Sequence, residues 1–72
     1  MAYWNTRVMR HTDTFGVHYY TIHEVYYDDS DQPEGWTSTP IYPSGTTIND
    51  LRAELNQMLA CLDKPILDYP SE

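Results

Sequence analysis

The residues of this chain that could do chemistry are clustered carboxylates, three histidines and one cysteine. Four of the carboxylates lie in the segment VYYDDSDQPEGW, residues 25–36, between two tyrosines and a tryptophan. Clustered acids can bind a calcium ion, form an acidic contact surface for another protein, or simply keep a turn between two strands in water. The spacing of the oxygen ligands tests the first of these interpretations.

The calcium interpretation fails on that spacing. An EF-hand loop needs oxygen ligands at positions 1, 3 and 5, a glycine at position 6 and a bidentate acid at position 12. Counting from Asp29 puts Pro33 at position 5, Glu34 at position 6 and Pro40 at position 12, and counting from Asp28 fits worse. We therefore predict no metal in this loop, and the solvated turn and the contact surface remain as alternatives.

The histidines and the cysteine do not predict a catalytic or metal centre. His18 and His23 are five positions apart on a predicted strand, so their side chains point to opposite faces. His11 and His23 approach each other only if the hairpin register permits it, and zinc takes three or four ligands. Cys61 lies on a predicted helix without a nucleophile signature around it. We expect no metal, no cofactor and no enzymatic activity.

Length and charge limit the class of protein and the kind of partner. The chain has 72 residues, which we predict to form a single domain over 1–72, and its formal charge is −7. This charge repels nucleic-acid phosphates and anionic membrane surfaces, and it favours a basic protein surface as partner. Simple solubility is the competing explanation of the acidity. The first residues lack a basic region followed by an apolar run, so we expect a cytoplasmic protein that binds neither nucleic acid nor membrane directly.

The elements that must position these residues are three strands and one helix. Period-2 alternation and β-branched or aromatic residues predict strands over about 3–11, 17–27 and 35–39. In the tail, residues 66–72, Ile66 and Leu67 pack back under the sheet or add a short edge strand, and we expect the final DYPSE to be frayed. We predict an α+β fold, a three-stranded antiparallel sheet (β-β-β-α) with one amphipathic helix packed on one face.

The helix is predicted over about 48–63 from its cap and its periodicity. Thr47 can cap the N-terminus with Asp50 three residues later, and Pro65 follows the C-terminal end. The predicted apolar stripe has i, i+3, i+4, i+7 spacing and consists of Ile48, Leu51, Leu55, Met58, Leu59 and Leu62.

The aromatic residues indicate a recognition surface. Ten of the 72 residues are Tyr, Trp or Phe, and a single helix can cover only one face of the sheet. We therefore expect some rings on an open opposite face, where tyrosine and tryptophan are typical of protein interfaces. A surface for a partner, a dimer surface and a solvated tyrosine face all remain open. The residues predicted to contact a partner are Tyr20, Tyr26, Asp28, Asp29, Asp31 and Trp36.

Two resemblances bear on these expectations. The segments YYTIHEVYYD, GWTSTP and PSGTTINDLRAELNQMLACLDKPILD resemble a group of short uncharacterised bacterial proteins, which implies a fold unit without an assigned activity. The segments DQPEGWTS and SGTTINDLRAEL are similar to the HicB-type antitoxin domain. Gly45, Thr47 and Asp50 match its helix start, and Asp31, Pro33 and Gly35 match its turn. Members of that family neutralise a small basic RNA-cleaving toxin by binding it.

Together these observations predict a non-catalytic small acidic protein that binds and inhibits or neutralises a protein partner. An antitoxin, an immunity protein or a phage-encoded inhibitor, including a nucleic-acid mimic, would have this charge and composition. The alternative is a structural homodimer or assembly subunit that uses the open sheet face.

Overall fold

The computed structural model describes residues 3–70, which form four strands and one helix. In chain order these are β1 (Tyr3–Thr12), β2 (His18–Tyr27), β3 (Pro33–Trp36), α1 (Ile48–Cys61) and β4 (Leu67–Asp68). The strand order in the sheet is β3-β2-β1-β4, with β1, β2 and β3 antiparallel and β4 parallel to β1. The α+β class and the single helix are confirmed.

The predicted three-stranded antiparallel sheet is corrected to a curled, mixed sheet of four strands. The tail passes back along the outer edge of β1, where Leu67 pairs with Met9 and Asp68 with Arg10. The Tyr69 N–H continues this ladder by donating to the Arg10 carbonyl at 2.8 Å. An unpaired strand edge offers free N–H and C=O groups, and the tail pairs with those beside Met9 and Arg10.

The β1–β2 hairpin has an uninterrupted register, from Tyr3 opposite Tyr27 to Thr12 opposite His18. Its turn is held by the Asp13 carboxylate, which accepts hydrogen bonds from the backbone N–H groups of Phe15 and Val17 at 2.8 and 2.9 Å. Gly16 has φ +80, a conformation that glycine adopts without steric cost. Since Val17 belongs to this turn, β2 begins at His18 rather than at the predicted residue 17.

Strand β3 lies earlier than predicted because its turn is shorter. The strand covers Pro33–Trp36 instead of 35–39, and a register irregularity between Tyr26 and Tyr27 sets Trp36 opposite Val25. After Trp36 the chain follows β2 only through single bonds, from Thr37 N–H to Glu24 O and from Ile41 N–H to Ile22 O.

The helix begins as predicted but ends two residues earlier, at Cys61. The Thr47 hydroxyl accepts from the Asp50 N–H at 3.0 Å, and the Asp50 carboxylate accepts from the Thr46 hydroxyl at 2.9 Å. Gly45 lies so close to this first turn that a β-carbon there would come within 2.6 Å of the Leu51 nitrogen. In the described residues no helix has the length and apolar character needed to cross a membrane.

Both faces of the sheet are covered, which corrects the expectation of one open face. The helix covers the face of Thr6 and Val8 with Met58 and Cys61, all of them buried. The opposite face buries Met9, His23, Val25 and Tyr27. There the curl of the sheet brings in Trp36 and the tail brings in Leu67 and Tyr69.

The helix itself is only shallowly buried. Of its predicted apolar stripe only Met58 is buried and Leu51 half-buried, whereas Ile48, Leu55, Leu59 and Leu62 are exposed. Most of the exposed aliphatic side chains therefore lie on the helix and at its C-terminal end, while Val17 and Ile66 are exposed in the hairpin turn and the tail.

Candidate functional sites

The acidic turn between β2 and β3 is held by hydrogen bonds to one of its carboxylates, that of Asp28. Asp28 Oδ1 accepts hydrogen bonds from the backbone N–H groups of Ser30 and Gln32 at 2.8 and 3.0 Å. The turn is closed by the Asp28 N–H, which donates to the Gln32 carbonyl at 2.9 Å, and Asp31 has φ 61. Asp28 thus shapes the loop, while Asp29, Asp31 and Glu34 are exposed around it.

Two aromatic side chains accompany this turn on the helix side of the sheet. Trp4 lies directly opposite Tyr26 across the strands and is 48% exposed. The Tyr26 hydroxyl donates to Glu24 Oε1 at 3.0 Å, and this hydrogen bond raises the pKa of Tyr26, with partial burial adding to it. Gly35, on the other side of Tyr26, leaves the ring uncrowded. We call this surface the acidic hairpin end: Trp4, Tyr26, Asp28, Asp29, Asp31 and Glu34.

The structure brings together four of the six residues predicted to contact a partner. Tyr26 and the three aspartates lie at the acidic hairpin end. Tyr20 precedes Tyr26 by six residues on the same strand, which places it about 20 Å away. Trp36 lies on the opposite face, half-buried, with its ring 6.0 Å from that of Tyr69 in an edge-on arrangement. Trp4 was not predicted, because the partner of Tyr26 is known only once the register is fixed. Glu34 was among the clustered acids but was not included in the predicted contact set.

The four positively charged residues all lie outside the acidic segment of the sequence, and Arg7 and Arg10 are engaged in contacts of their own. Between residues 11 and 51 the sequence has seven acidic residues and no lysine or arginine. Arg10, six residues along β1 from Trp4, forms an ion pair with Asp68 at 2.7 Å. Arg7 donates to the Tyr27 hydroxyl at 3.0 Å and to the Pro65 carbonyl. The acidic hairpin end therefore keeps its negative charge without a cation in the same segment.

A second candidate site is a cavity of about 830 Å³ at the opposite end of the hairpin, on the non-helix face. We call it the histidine cavity; its characteristic residues are His11, Asp13, Tyr19, Thr21, His23 and Tyr69. The His11 ring is stacked between Tyr19, at 4.6 Å between centroids, and Tyr69, at 4.4 Å. The ring centroids of His11 and His23 are 5.7 Å apart. The sequence alone could not predict this distance, because it depends on the register of the hairpin.

A chain of hydrogen bonds with a fixed direction runs through this cavity. His23 Nδ1 lies 2.9 Å from the Thr37 carbonyl oxygen, which can only accept, so Nδ1 carries the proton. His23 is fully buried, and this burial lowers its pKa, so the ring is neutral and its Nε2 accepts. The Thr21 hydroxyl therefore donates to His23 Nε2 at 2.7 Å, and the same oxygen accepts from His11 Nε2–H, also at 2.7 Å. In neutral His11 this leaves Nδ1 as an acceptor that has no hydrogen-bond partner within residues 3–70.

Neither the histidines nor the cysteine assemble into a metal centre within residues 3–70, where no group of three or more His, Cys, Asp or Glu side chains is placed to hold an ion. Cys61 is buried between helix and sheet, on the other side from His11 and His23. Burial raises the pKa of its thiol, and a hydrogen bond with Thr6 offsets only part of this effect. The thiol is therefore protonated and covered at neutral pH.

A third feature is a shallow groove of about 500 Å³ between the helix and β2. Its ten lining residues include no charged side chain. We call it the leucine groove: Tyr20, Ile22, Ile41, Leu55, Leu59 and Leu62. Leu59 and Leu62 are 65% and 57% exposed, so the groove and its rim form an exposed aliphatic surface.

Comparisons of the chain with protein-family models, with curated proteins and with solved structures find no match.

Proposed function

We propose that this protein acts without catalysis by binding a protein with a basic surface, and that the acidic hairpin end is the contact. The observation that supports the proposal most is the combination of exposed carboxylates with Trp4 and Tyr26 at one end of the sheet. The contact residues are Tyr26, Asp29 and Asp31 of the predicted set, together with Trp4 and Glu34.

Each part of this surface contributes in a different way. Exposed carboxylates accelerate encounter with a positive partner, and their effect weakens as salt screens it. Tryptophan and tyrosine provide contact area at low entropic cost and are frequent among the residues that dominate binding energy. Asp28 is needed indirectly, since its carboxylate holds the loop that presents Asp29 and Asp31.

Binding of this kind fits an inhibitor of a basic, nucleic-acid-handling protein. A negative surface that occupies a site built for phosphates prevents nucleic acid from entering it. Antitoxins, immunity proteins and phage-encoded inhibitors act by such occupation, and we place this protein among them, in the cytoplasm. The resemblance of DQPEGWTS and SGTTINDLRAEL to HicB-type antitoxin domains agrees with that class.

Affinity capture with matched charge variants tests the proposal. The test variant is Asp29→Lys with Glu34→Lys, because neither side chain has a hydrogen bond or ion pair within residues 3–70. The control is Glu54→Lys on the helix with Asp63→Lys just after its C-terminal end, which changes the net charge equally. Proteins captured by wild type and control, but lost with the test variant and with 0.5 M salt, support the proposal. Equal loss with both variants would show that only the overall charge matters.

A homodimer is the second candidate function. The leucine groove is a better candidate for its interface than the sheet face that the sequence suggested. A two-fold dimer needs a surface that fits itself, and here the ridge of Leu59 and Leu62 lies beside a hollow formed with Tyr20 and Ile41. Sedimentation equilibrium distinguishes the two states. A dimer that dissociates with Leu59→Gln, but not with Asn56→Gln on the same helix, supports this candidate.

A further inference from the structure

The histidine cavity offers hydrogen-bond acceptors and ring surface but no fixed cation. Its eleven lining residues include one carboxylate, two tyrosines and several hydroxyls, and no lysine or arginine. In the neutral imidazole His11 Nδ1 is an acceptor, because the Thr21 oxygen accepts a hydrogen bond from His11 Nε2–H and the Thr21 hydroxyl donates to His23 Nε2. A ligand that matches this site donates hydrogen bonds.

Asp13 adds negative charge at the rim of the same cavity. Its Oδ1 is occupied by the N–H groups of Phe15 and Val17, while Oδ2 has no hydrogen-bond partner within residues 3–70. The turn therefore holds the carboxylate in place with one oxygen free to accept. An anion would meet this charge and the −7 of the whole chain, so phosphates and carboxylates are disfavoured ligands.

The exposed ring surface of Tyr19 favours a planar ligand. His11 is packed between the rings of Tyr19 and Tyr69, and Tyr19 remains half-exposed along the cavity wall. A guanidinium is planar, carries its N–H donors at its edge and stacks on aromatic faces, whereas an ammonium is a strongly hydrated point charge. The volume of about 830 Å³ is within the usual range of small-molecule sites.

We propose that the histidine cavity binds a guanidinium group, with His11 Nδ1 and Asp13 Oδ2 accepting its N–H donors and the Tyr19 ring stacking on it. The group comes either from a free small molecule or from an arginine side chain of a peptide or protein. The site is at the opposite end of the hairpin from the acidic hairpin end, so this proposal is independent of the function proposed above.

Side-chain NMR of the full chain tests the proposal without knowledge of the natural ligand. The probe is N-acetyl-arginine amide, and the control is N-acetyl-citrulline amide, which has nearly the same shape without the charge. We expect saturable shifts of the His11, Tyr19 and Tyr69 signals with the arginine probe, and at least about tenfold weaker binding of citrulline. Equal responses to both probes, or shifts centred on Trp4 and Tyr26, would overturn the proposal.

Neighbouring residues provide a matched pair of variants. Tyr19 and Tyr20 are 50% and 55% exposed and point to opposite faces. Tyr19→Leu should weaken binding of the arginine probe about fivefold through loss of ring contact, and Tyr20→Leu should not change it. Asp13→Asn keeps a carbonyl oxygen for the turn while removing the charge, and should weaken binding by a similar factor. An unchanged affinity in Tyr19→Leu and Asp13→Asn contradicts the assigned contacts.

Two further measurements, of the imidazole tautomers and of binding to an arginine peptide, complete the test. Nitrogen-15 shifts at neutral pH should show His23 protonated at Nδ1 and His11 at Nε2; the opposite tautomer of His11 would remove the acceptor and with it the proposal. A pentapeptide with a central arginine distinguishes the two sources of the guanidinium. Affinity equal to that of the small probe identifies an arginine side chain, and clearly weaker affinity identifies a free small molecule.

Discussion

Replacement of Thr21 by valine should destabilise the protein, because it leaves the buried His23 without a hydrogen-bond donor. Valine keeps the shape of threonine but removes the hydroxyl that donates to His23 Nε2 and accepts from His11 Nε2. His23 has 0% exposure, so its Nε2 cannot reach water once this donor is lost. His11 is half-buried and can replace its lost acceptor with solvent.

The size of the effect follows from this asymmetry. A buried acceptor left without a donor costs about 1–3 kcal/mol, and the methyl group gained in valine returns up to about 0.8 kcal/mol of it. We expect the free energy of unfolding to fall by about 1–2 kcal/mol. With a urea slope near 1 kcal/mol/M for a chain of this size, the unfolding midpoint should fall by roughly 1–2 M.

Urea unfolding followed by tyrosine and tryptophan fluorescence measures this shift. Thr39→Val is the control, because Thr39 is exposed and makes no side-chain hydrogen bond within the described part of the chain. Thr21→Ser retains the hydroxyl and should keep most of the wild-type stability. If Thr21→Val and Thr39→Val unfold at the same urea concentration, the hydrogen-bond chain through the cavity is refuted.

Further predictions concern pH, the thiol and the helix. Burial lowers the pKa of His23, so below about pH 6.5 the unfolded chain binds a proton at this residue and the folded chain does not. The free energy of unfolding should therefore fall with acidification by up to about 1.4 kcal/mol per pH unit. His23→Gln should flatten this profile over pH 5–6.5 and the exposed His18→Gln should not; identical profiles would contradict the assignment. Cys61, 1% exposed with a raised pKa, should react with a thiol reagent at least about a hundredfold more slowly in the native protein than in urea, and equal rates would show that the helix does not cover it. In urea unfolding at low protein concentration, Leu59→Gln should change monomer stability by less than about 1 kcal/mol, since Leu59 is 65% exposed. The buried Met58→Gln should cost more than about 2 kcal/mol, and similar losses in the two variants would place Leu59 in the core.

The local signals in the sequence predicted the helix start and the strand faces, because these depend on neighbouring residues. Thr47 and Asp50 form their hydrogen bond as the capping pattern indicates. The alternation in β1 correctly separates Val8 from Met9. The burial of the helix was not predictable in the same way. Periodicity identifies an apolar stripe, but the position of the helix on the sheet decides how much of it is covered, and Leu55 and Leu59 remain exposed.

The covering of the sheet face opposite the helix could not be predicted, because it depends on contacts between distant parts of the chain. Tyr69 and Leu67 reach the face of Met9 only because the tail pairs with the outer edge of β1. The sequence left a short edge strand in the tail as one of two alternatives, because two residues have too little pattern to decide between them. The residues of the acidic hairpin end are partly local, since Asp28, Asp29 and Asp31 share one turn, but Trp4 joins them only through the register of β1 and β2.

The histidine cavity was the feature furthest from prediction, although its geometry follows from one turn. The Asp13 turn sets Thr12 opposite His18, which places His11 beside Tyr19 and diagonal to Thr21. The side-chain faces of His11 and His23 were known from alternation, but the register between the strands was not. A hairpin with Asp at the start of its loop and Gly16 near its end was the signal that would have fixed it.

The most direct test of the proposed binding surface is hydrogen exchange of the protein with and without a partner obtained by differential capture. The account predicts that slowed exchange in the complex is centred on the backbone of residues 26–36 and on residues 3–5 of the adjacent strand. It also predicts that this protection is lost with Asp29→Lys and Glu34→Lys at 0.15 M salt. Protection confined to residues 55–62 of the helix, with the acidic turn exchanging as in the free protein, would contradict it.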